Sequence, residues 1–568
     1  MAAADLPLLA GNDPGPATEE ARELARAVGL SFTVADALHR AGWEAGETLD
    51  RWLEPKLAQL TAPDGMADLE PAAERVGRAI RSGEPIAVFG DYDCDGITAT
   101  AIVTEAIQAL GGRVTPLLAS RFAGGYGLSA PGLERVLQTD ARLLITCDCG
   151  SADHERLAAA KGAGLDCVVI DHHLVPEEPL PAHAFLNPNR PDCGFPFKGL
   201  ASCGLALILA TALRRVMAQP LDVRRWLELV ALGTVADVAP LEGDNRTLVR
   251  AGLARIAATE RVGLSALALK GSRGRKVPCT AEDIAFQIAP RINAPGRLGD
   301  AKVALDALLE QDPTRAHALV EELDQITRQR RQLQETMIAE AFAEIAARGY
   351  GDDPAIVLAR PSFHPGVVGI VAGRIADRLG KPAVVVGLDG TSGRGSARAP
   401  AGFRLYDSLV ACSADLGSFG GHQAAAGVEL DADQVDRFRD AWRQVCADQL
   451  AKLPAPTAPW RPDVRLDERD DVMQVLADLE RLEPCGKGNP APKLLMADVE
   501  VTGTRRIQTH LKLDLRLRGQ RLSAFGPNLA DLEPAVAGQR VALVGRLKRD
   551  WWRGGTTAEV LIETALRP

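Results

Sequence analysis

The sequence predicts an α/β protein built from a parallel sheet, a second α/β unit and a small C-terminal β-barrel. Strand-like and helix-like runs alternate from about residue 70 to residue 260, which is the pattern of a doubly wound parallel sheet. No glycine or proline interrupts the helical pattern of residues 314–348, so a long helix is expected to join the two α/β units. Short alternating runs after residue 490 predict the strands of the barrel.

Length and composition narrow the class of protein. A chain of 568 residues is too long for one core, so several domains are expected. The net charge of -10 argues against a generally basic nucleic-acid coat but allows a local basic channel. The ten cysteines are scattered without a C-x-x-C pair, which indicates neither a zinc ribbon nor a disulfide framework. No apolar run of membrane-spanning length and no signal peptide is evident, so we expect a cytoplasmic protein without a membrane segment.

The first unit follows an N-terminal helical segment, in which Trp43 and Trp52 are expected to pack against the next domain. Its sheet strands are predicted from short apolar runs at residues 86–89, 114–118, 143–146 and 167–170. The first run ends in Asp91-Tyr92-Asp93-Cys94-Asp95-Gly96, ahead of a helix-like stretch. Such turns lie at the carboxyl edge of a parallel sheet, where open α/β folds bind ligands.

The three aspartates of this turn would repel one another, and a divalent cation would offset that repulsion. A simpler interpretation is a solvated acidic turn in which Asp95 caps the helix. Two later strands end in Asp148 and in Asp171-His172-His173, and a helix-like run leads to Asp237. Each residue alone has an ordinary explanation, as a cap, a turn or a surface loop. Because separate strands would bring these residues to the same edge of the sheet, a metal site explains the set better than the individual explanations do.

The donor types indicate which metal would bind. Carboxylate oxygens with one or two imidazoles suit Mn²⁺ or Mg²⁺ better than structural zinc, which favours thiolates. Several neighbouring aspartates, each able to bridge two metal ions, suggest two ions about 3.5–4 Å apart, an arrangement used in phosphoryl hydrolysis. The sequence offers no competing Ser/His/Asp or Cys/His nucleophile arrangement.

Together these stretches resemble, in order, four motifs of the DHH phosphoesterase family. Further matching stretches lie at residues 121–127, 291–297 and 364–372, and the likeness covers roughly residues 45–568. Within the family the chain is similar to single-strand-specific 5′→3′ exonucleases. The resemblance implies hydrolysis of single-stranded DNA to 5′-mononucleotides in DNA recombination and repair, with Mn²⁺ or Mg²⁺ as cofactor. It also implies a single-strand-binding protein and a helicase as partners.

The resemblance assigns roles to particular residues. The expected catalytic residues are Asp93, Asp95, Asp148, His172, His173 and Asp237. The expected metal ligands are Asp91, Asp93, Asp95, Asp148, His172 and Asp237. His173 is expected to orient a ligand or touch the phosphate. Asp91 is expected to substitute in part for a histidine that the family's pyrophosphatases carry at the position of Phe89.

The second α/β unit and the barrel supply the expected DNA contacts. Residues 393–398 combine backbone donors with guanidinium groups, which suits phosphate, and with residues 419–427 they resemble the DHHA1 domain. The strands predicted at residues 495–501, 510–517 and 541–547 suggest an OB-type barrel, a frequent single-strand binder. The expected nucleic-acid contacts are Arg121, Tyr126, Arg291, Arg297, Ser396, Arg398, His422, His510 and Lys512. Tyr126 is expected to stack on a base, and Arg546, Lys548, Trp551 and Trp552 are further candidates in the barrel.

These patterns divide the chain into five parts. They are an N-terminal helical segment (1–70), a DHH domain with the metal site (71–300), a connector helix (301–349), a DHHA1 domain (350–452), and a Pro-rich linker with the OB-type barrel (453–568). Two other functions remain open. One is a phosphodiesterase of short oligonucleotides or cyclic dinucleotides, which would need no barrel. The other is an inactive DNA-binding scaffold, which would be expected to have lost metal ligands.

Overall fold

The computed structural model describes residues 6–421, 423–453 and 460–568. The predicted DNA contact His422 and most of the predicted Pro-rich linker lie outside the described residues. Within the described ranges, no helix is long and apolar enough to cross a membrane. Three sheets organise these residues, two of five strands and one of six.

The first sheet is parallel, as the sequence predicts, with the strand order β2-β1-β3-β4-β5. Its strands are β1 Ile86–Gly90, β2 Val114–Leu118, β3 Leu143–Cys147, β4 Asp166–Ile170 and β5 Ala184–Leu186.

Three helices form the N-terminal segment, namely α1 Glu19–Val28, α2 Phe32–Arg40 and α3 Glu47–Leu53. The helices of the sheet domain are α4 Leu69–Ser82, α5 Cys94–Ala109, α6 Ala130–Leu137, α7 His154–Gly162, α8 Ser202–Met217, α9 Leu227–Ala236, α10 Gly243–Ile256, α11 Val262–Gly271, α12 Ala281–Asp283, α13 Ala289–Ile292, α14 Pro295–Leu298 and α15 Lys302–Leu309, with a π-helix at Ile284–Ile288 between α12 and α13.

The predicted connector is a single helix, α16, which spans Pro313–Arg348 and is 36 residues long. Asp312 caps it by accepting a hydrogen bond from the backbone N–H of Arg315, and proline at the first helical position needs no such bond. At 1.5 Å per residue the helix is about 54 Å long. Its first half, including Leu323, packs into the core of the sheet domain, whereas Met337 and its neighbours pack into the second unit. The connector is therefore built into both cores.

The second unit contains a mixed sheet with the order β6-β7-β8-β10-β9, in which only β6 and β7 are parallel. Its elements are β6 Ile356–Arg360, α17 Val368–Leu379, β7 Ala383–Asp389, β8 Ser392–Arg398, α18 Leu405–Ala411, β9 Ser418–Gly421, β10 Ala425–Asp431 and α19 Val435–Leu450. The Gly-rich stretches singled out in the sequence form strands β8, β9 and β10. Glycine disfavours strands, so periodicity alone does not predict these three.

The C-terminal unit closes into the predicted barrel, because β12 pairs with both β13 and β15. Its elements are β11 Val464–Arg465, α20 Val472–Arg481, β12 Leu494–Ile507, β13 His510–Leu517, β14 Gln520–Gly526, α21 Glu533–Val536, β15 Arg540–Arg549 and β16 Ala558–Leu566. The sequence patterns do not predict strands β14 and β16, and β14 follows β13 through a tight turn.

The N-terminal segment packs mainly on this barrel rather than on the sheet domain, which corrects the sequence-based expectation for Trp43, whereas Trp52 also contacts the sheet domain through Arg246. Leu24 and Val34 share one hydrophobic cluster with residues of α20 and of the barrel strands, and Trp43 and Trp52 border the same cluster. Leu8 also pairs with Arg567 near the end of the chain. Truncation of the barrel alone would therefore expose the apolar faces of the N-terminal helices.

A buried arginine joins the sheet domain to both of these units. Arg246 on α10 is 1% exposed, and its guanidinium lies 3.7 Å from the ring centre of Trp52. It donates to the backbone carbonyls of Trp52 (2.8 Å) and Leu482 (2.9 Å). Burial, and then the charge of Arg250, lowers the pKa of Arg246 to about 10. The backbone carbonyls stabilise a cation that has no carboxylate partner among the described residues.

We expect Arg246→Met to loosen the C-terminal unit without disturbing the parallel sheet. The substitution leaves buried carbonyls without donors, which costs about 2–4 kcal/mol of free energy of unfolding. Urea unfolding and limited proteolysis of residues 482–490 would measure the loss. Arg255→Met, an exposed substitution on the same helix, is the matched control. Equal proteolysis rates in the two variants would contradict the assigned role of Arg246.

Candidate active site

The candidate site lies where three neighbouring strands end together. Gly90 is in register with Cys147, and Cys147 is in register with Ile170. The next residues of the chain, Asp91, Asp148 and Asp171, therefore leave the sheet at the same edge, and each is at most 2% exposed. This is the convergence that the strand-end pattern predicts.

The turn after β1 is held closely against helix α5. The carboxylate of Asp93 caps α5 by accepting from the N–H groups of Asp95 and Gly96, both at 3.1 Å. A Cβ at Gly96 would lie 2.6 Å from the carbonyl oxygen of Asp91, so only glycine permits this approach. The cap interpretation of the sequence is thus right in kind, but Asp93 rather than Asp95 is the cap.

Asp95 instead binds the N-terminus of a different helix, α8. Its two carboxylate oxygens accept from the backbone N–H groups of Ser202 at 2.7 Å and Cys203 at 2.9 Å. The hydroxyl of Ser202 donates to Asp148 at 3.0 Å. The partial positive charge of a helix N-terminus stabilises both carboxylates. Sequence reasoning missed Ser202, because no motif marks it and its helix lies far along the chain.

His172 faces three of the predicted carboxylates. Its Nε2 lies 3.3 Å from Asp148, 3.7 Å from Asp237 and 3.9 Å from Asp95. The nitrogen is buried without a hydrogen-bond partner among the described residues. Asp237 reaches this point from the C-terminal end of α9. Burial lowers the pKa of His172, so the neutral imidazole that can ligate a metal is favoured.

His173 is held by Asp171 rather than by the carboxylates of the site centre. Its Nδ1 lies 2.7 Å from Asp171. Burial opposes a charged ring, but the hydrogen bond and charge of Asp171 raise the pKa of His173 to about 9. Burial would also raise the pKa of Asp171, yet bonds from His173 and Ser151 lower it to about 2. The Tyr126 hydroxyl donates to the carbonyl of Asp148 at 3.0 Å and also approaches His173.

The carboxylates of the site repel one another, and a bound cation would offset that repulsion. Burial, followed by repulsion from Asp95 and Asp93, raises the pKa of Asp148 well above its usual value and that of Asp237 to about 8. Burial and Asp93 raise the pKa of Asp91, whose Oδ1 has no hydrogen-bond partner among the described residues.

The donor atoms also lie close enough together to share ions. Those of Asp91, Asp93 and Asp148 lie within 4.8 Å of one another, as do those of Asp148, His172 and His173. These residues fit divalent cations that prefer oxygen and imidazole ligands. Asp148 belongs to both groups.

Three domain families match successive parts of the chain. The N-terminal domain of the DHH family matches residues 85–234, the DHHA1 domain residues 352–448, and the RecJ OB domain residues 462–564. The single-stranded-DNA-specific exonuclease RecJ of Bacillus subtilis (strain 168) is 33% identical over 559 residues, which are 97% of this chain and 70% of that protein. The chain belongs to the RecJ family.

Solved structures of a RecJ protein agree in fold. The crystal structure of RecJ from Thermus thermophilus in complex with Mn²⁺ has a TM-score of 0.77 at 32% identity, and covers 97% of this chain and 78% of that chain. The crystal structure of the same protein in complex with Mg²⁺ has a TM-score of 0.73 at 30% identity, with coverages of 97% and 77%. Both ions are those that the carboxylate and imidazole donors of this chain favour.

Beside the acidic site, guanidinium groups from three parts of the RecJ fold lie close together. Arg121 stacks 4.5 Å from the ring centre of Tyr92. Burial, and then Arg121 and Arg330, lowers the pKa of Arg297 to about 10, and burial with Arg121 lowers that of Arg398. None of these four arginines has a carboxylate within ion-pair distance among the described residues. The hydrogen bonds of Arg121, Arg330 and Arg398 go to uncharged acceptors, which are the carbonyl of Gly296, the amide of Gln334 and the hydroxyl of Ser396. Like charges held together without counterions form a site for an anion.

A cavity of about 350 Å³ adjoins this cluster, between the sheet domain and the DHHA1 unit. Arg121, Phe122 and Tyr126 line one side, and Phe419 lines the other. Ser396 receives a hydrogen bond of 2.6 Å from Arg398, so the two predicted phosphate contacts of β8 lie together. Tyr126 is 50% exposed, but its hydroxyl is already bonded within the site, so base stacking by this ring stays a prediction.

Arg291 does not join the cluster, and its contact with DNA stays a prediction. It is 7% exposed and pairs with Asp324 of α16 at 3.1 Å. It also donates to the carbonyl of Gln287 at 2.5 Å. A buried guanidinium with these partners fixes the connector helix to the sheet domain.

Two predicted barrel contacts have partners inside the barrel. Lys512 forms an ion pair with Glu559, which is 7% exposed, so its charge is compensated there. The ring of His510 accepts from the N–H of Asn528 at 3.0 Å. Their contacts with nucleic acid stay a prediction.

The other barrel candidates face the sheet domain across a large cavity. It measures about 940 Å³ and begins at Val235 and Val238, which flank Asp237. The barrel contributes the four candidates Arg546, Lys548, Trp551 and Trp552, and the sheet domain contributes Arg273, Arg275 and Phe286. Phe286 is 65% exposed and lies in the π-helix. Sequence analysis missed these last three, because only the fold brings their segment opposite the barrel.

We expect Asp148→Asn to remove hydrolysis while preserving or raising the melting temperature in chelator. One charge is withdrawn from a buried, repelling group, and asparagine tolerates the positive φ of 62° at this position. Activity should fall by roughly 100- to 1000-fold or more. In calorimetry, Mn²⁺ should raise the melting temperature of the wild type more than that of the variant.

Asp140→Asn is the matched control, because Asp140 pairs with Arg113 on the exposed surface. It should keep both the activity and the Mn²⁺ response of the wild type. Wild-type turnover by Asp148→Asn would contradict the assignment of the metal site.

Proposed function

We propose that this protein is a 5′→3′ exonuclease that hydrolyses single-stranded DNA to 5′-mononucleotides, in DNA recombination and repair. The observation that carries the proposal is the pairing of a buried carboxylate and imidazole cluster with an unpaired guanidinium cluster beside it. The first fits divalent cations, and the second fits a phosphate. Several RecJ relatives are named single-stranded-DNA-specific exonucleases.

In this proposal two divalent cations would be held by Asp91, Asp93, Asp95, Asp148, His172 and Asp237, and Asp148 belongs to both groups of close donor atoms. Bound there, Mn²⁺ or Mg²⁺ would supply positive charge that lowers the pKa of a bound water and offsets negative charge on the phosphate oxygens. The N-terminus of α8 keeps the Asp95 and Asp148 carboxylates in place through Ser202. Such orientation of ligands by neighbouring donors tunes metal affinity.

His173 acts beside the ligands rather than as one. Its Nδ1 is fixed by Asp171, and its raised pKa keeps the ring charged near neutral pH. A charged imidazole can donate from Nε2 to an oxygen of the phosphate under attack. Tyr126 braces the ring and the carbonyl of Asp148.

The strand would lie with its 5′ end at the guanidinium cluster and its body in the cavity before the barrel. Arg121, Arg297 and Arg398 would bind the terminal phosphate, since guanidinium groups match phosphate oxygens in pairs. The basic and aromatic lining of the larger cavity suits successive phosphates and bases. We propose the corresponding tasks for the five parts of the chain: a brace for the barrel (1–70), hydrolysis (71–300), rigid spacing (301–349), end binding (350–452) and strand binding (453–568).

The second candidate function is hydrolysis of short oligonucleotides or cyclic dinucleotides. The large cavity between the sheet domain and the barrel argues against it, because such substrates would not reach that far. Comparing rates on a dinucleotide and on a long strand separates the two functions. The partners implied by the family resemblance, a single-strand-binding protein and a helicase, stay predictions.

We expect 5′-phosphorylated strands to be cleaved faster than 5′-hydroxyl strands, and blunt duplex to be cleaved little. A terminal phosphate carries more charge than an internal diester, so unpaired guanidinium groups should prefer it. Arg398→Ala should remove most of this preference, by about 10- to 100-fold for the loss of a charged hydrogen bond. Initial rates on the two end-labelled strands measure the effect.

Arg404→Ala is the matched control, because Arg404 is exposed in the same unit and pairs with Asp407. It should retain the wild-type preference. Equal wild-type rates on the two 5′ ends would reject a phosphate-binding end pocket. A full preference in Arg398→Ala would remove Arg398 from it.

A further inference from the structure

The sheet domain and the barrel meet on two sides of the larger cavity, and the two contacts differ in kind. On one side the contact is buried: Arg246 of the sheet domain donates to the carbonyls of Trp52 in the N-terminal segment and of Leu482 in the C-terminal unit. On the same side the N–H of Leu241 donates to the carbonyl of Lys487 at 2.7 Å. On the other side, Trp552 of the barrel meets Arg275 of the sheet domain, and Trp552 is 68% exposed. The cavity therefore has one fixed wall and one light closure, and an ion pair of 3.7 Å between Arg546 of the barrel and Glu282 of the sheet domain also lies on its lining.

The light closure is a cation–π contact. The guanidinium of Arg275 lies 3.9 Å from the ring centre of Trp552, and that of Arg273 lies 5.9 Å away. The Nη1 of Arg275 is buried without a hydrogen-bond partner among the described residues. An unsatisfied buried donor costs free energy, so this guanidinium would gain from an acceptor that entered the cavity.

Trp552 and Arg275 are each held in position by hydrogen bonds within their own domain. The carboxylate of Asp550 accepts from the N–H of Trp552 at 3.0 Å, and receives the hydroxyl of Ser523 at 3.2 Å. Arg275 donates through Nε to the carbonyl of Ser272 at 3.3 Å. Hydrogen bonds within each domain therefore hold the two loops that carry Trp552 and Arg275.

We propose that Trp552 and Arg275 form a clasp that closes over single-stranded DNA and exchanges partners when the strand enters. In the free protein the guanidinium covers the indole. With DNA in the cavity, a base takes the indole face and the adjacent phosphate takes the guanidinium. Indole and guanidinium groups bind bases and phosphates respectively, so each partner trades one contact for a stronger one.

The clasp would set how long a strand is retained between cuts. This inference rests on the proposed exonuclease function, because only a strand whose end lies at the metal site would extend along the cavity to the clasp. The lining runs from the residues flanking Asp237 to Trp552. A strand held there stays near the site after each nucleotide leaves. The clasp therefore favours repeated cleavage in one encounter.

The exchange itself can be observed without catalysis. The full chain, which contains seven tryptophans, is labelled with 5-fluorotryptophan, and Trp552→Phe assigns the Trp552 signal in the ¹⁹F spectrum. In chelator, Arg275→Ala should move that signal in the free protein, and a poly-dT oligonucleotide should move it in the wild type. A signal that responds to neither would overturn the clasp.

Run length provides the second measurement. On a long 3′-labelled strand with a heparin trap, Trp552→Ala and Arg275→Ala should shorten the run per encounter by about tenfold, the scale of one stacked base. Trp552→Phe keeps a ring and should restore most of it. Arg378→Ala is the matched control, because it removes a similar contact (4.5 Å, to Phe342) outside the cavity.

The outcomes separate this inference from the proposed function. A wild-type protein that does not shorten strands from the 5′ end would reject the function, whereas the ¹⁹F measurement would still test the contact. A wild type that shortens strands, together with variants that keep its run length, would reject the clasp alone. Because both side chains act at the surface of the cavity, circular dichroism should show that the two alanine variants fold.

Discussion

Repulsion among buried carboxylates is the constraint on which the rest of the structure depends. Strand register brings Asp91, Asp148 and Asp171 to one edge, and burial there raises the pKa of Asp148 and Asp91. The fold offsets part of this cost with the N-terminus of α8 and with His173, which neutralises Asp171. It does not offset the rest. The remaining charge is what gives the site its affinity for divalent cations.

The same principle, with the opposite sign, governs the guanidinium cluster. Burial and the charge of Arg121 lower the pKa of Arg297 and of Arg398, yet the fold gives these two arginines no carboxylate partner among the described residues. These arginines lie beside the acidic site but form no ion pairs with it among the described residues, because helices and strands fix the positions of both clusters. A Cβ at Gly366 would lie 1.8 Å from the carbonyl of Arg297, so the DHHA1 loop packs directly on the sheet domain. A phosphate bound together with divalent cations would satisfy both clusters at once.

Short-range sequence patterns predict those features that depend only on residues close together in the chain. The helix at residues 313–348 follows from its proline start and its unbroken run, and the aspartates follow from strand ends. Contacts between distant segments lie beyond local pattern. Arg291 resembles a cleft residue until Asp324 is seen beside it, and Lys512 resembles a free cation until Glu559 pairs with it. Strand β8 is hidden by its glycines, because pairing with β7 and β10 overrides their weak propensity.

The joining of the two ends of the chain explains why the barrel is a fixed wall rather than a tethered module. The N-terminal helices complete the apolar cluster of the barrel, and Arg246 then ties both to α10 of the sheet domain. A binding surface held this firmly costs little entropy when a strand arrives. In the proposed function a strand would enter on the side opposite this attachment. That side is where the exposed Trp552 and the incompletely bonded Arg275 meet, which is why a weak, exchangeable contact there is compatible with a rigid channel.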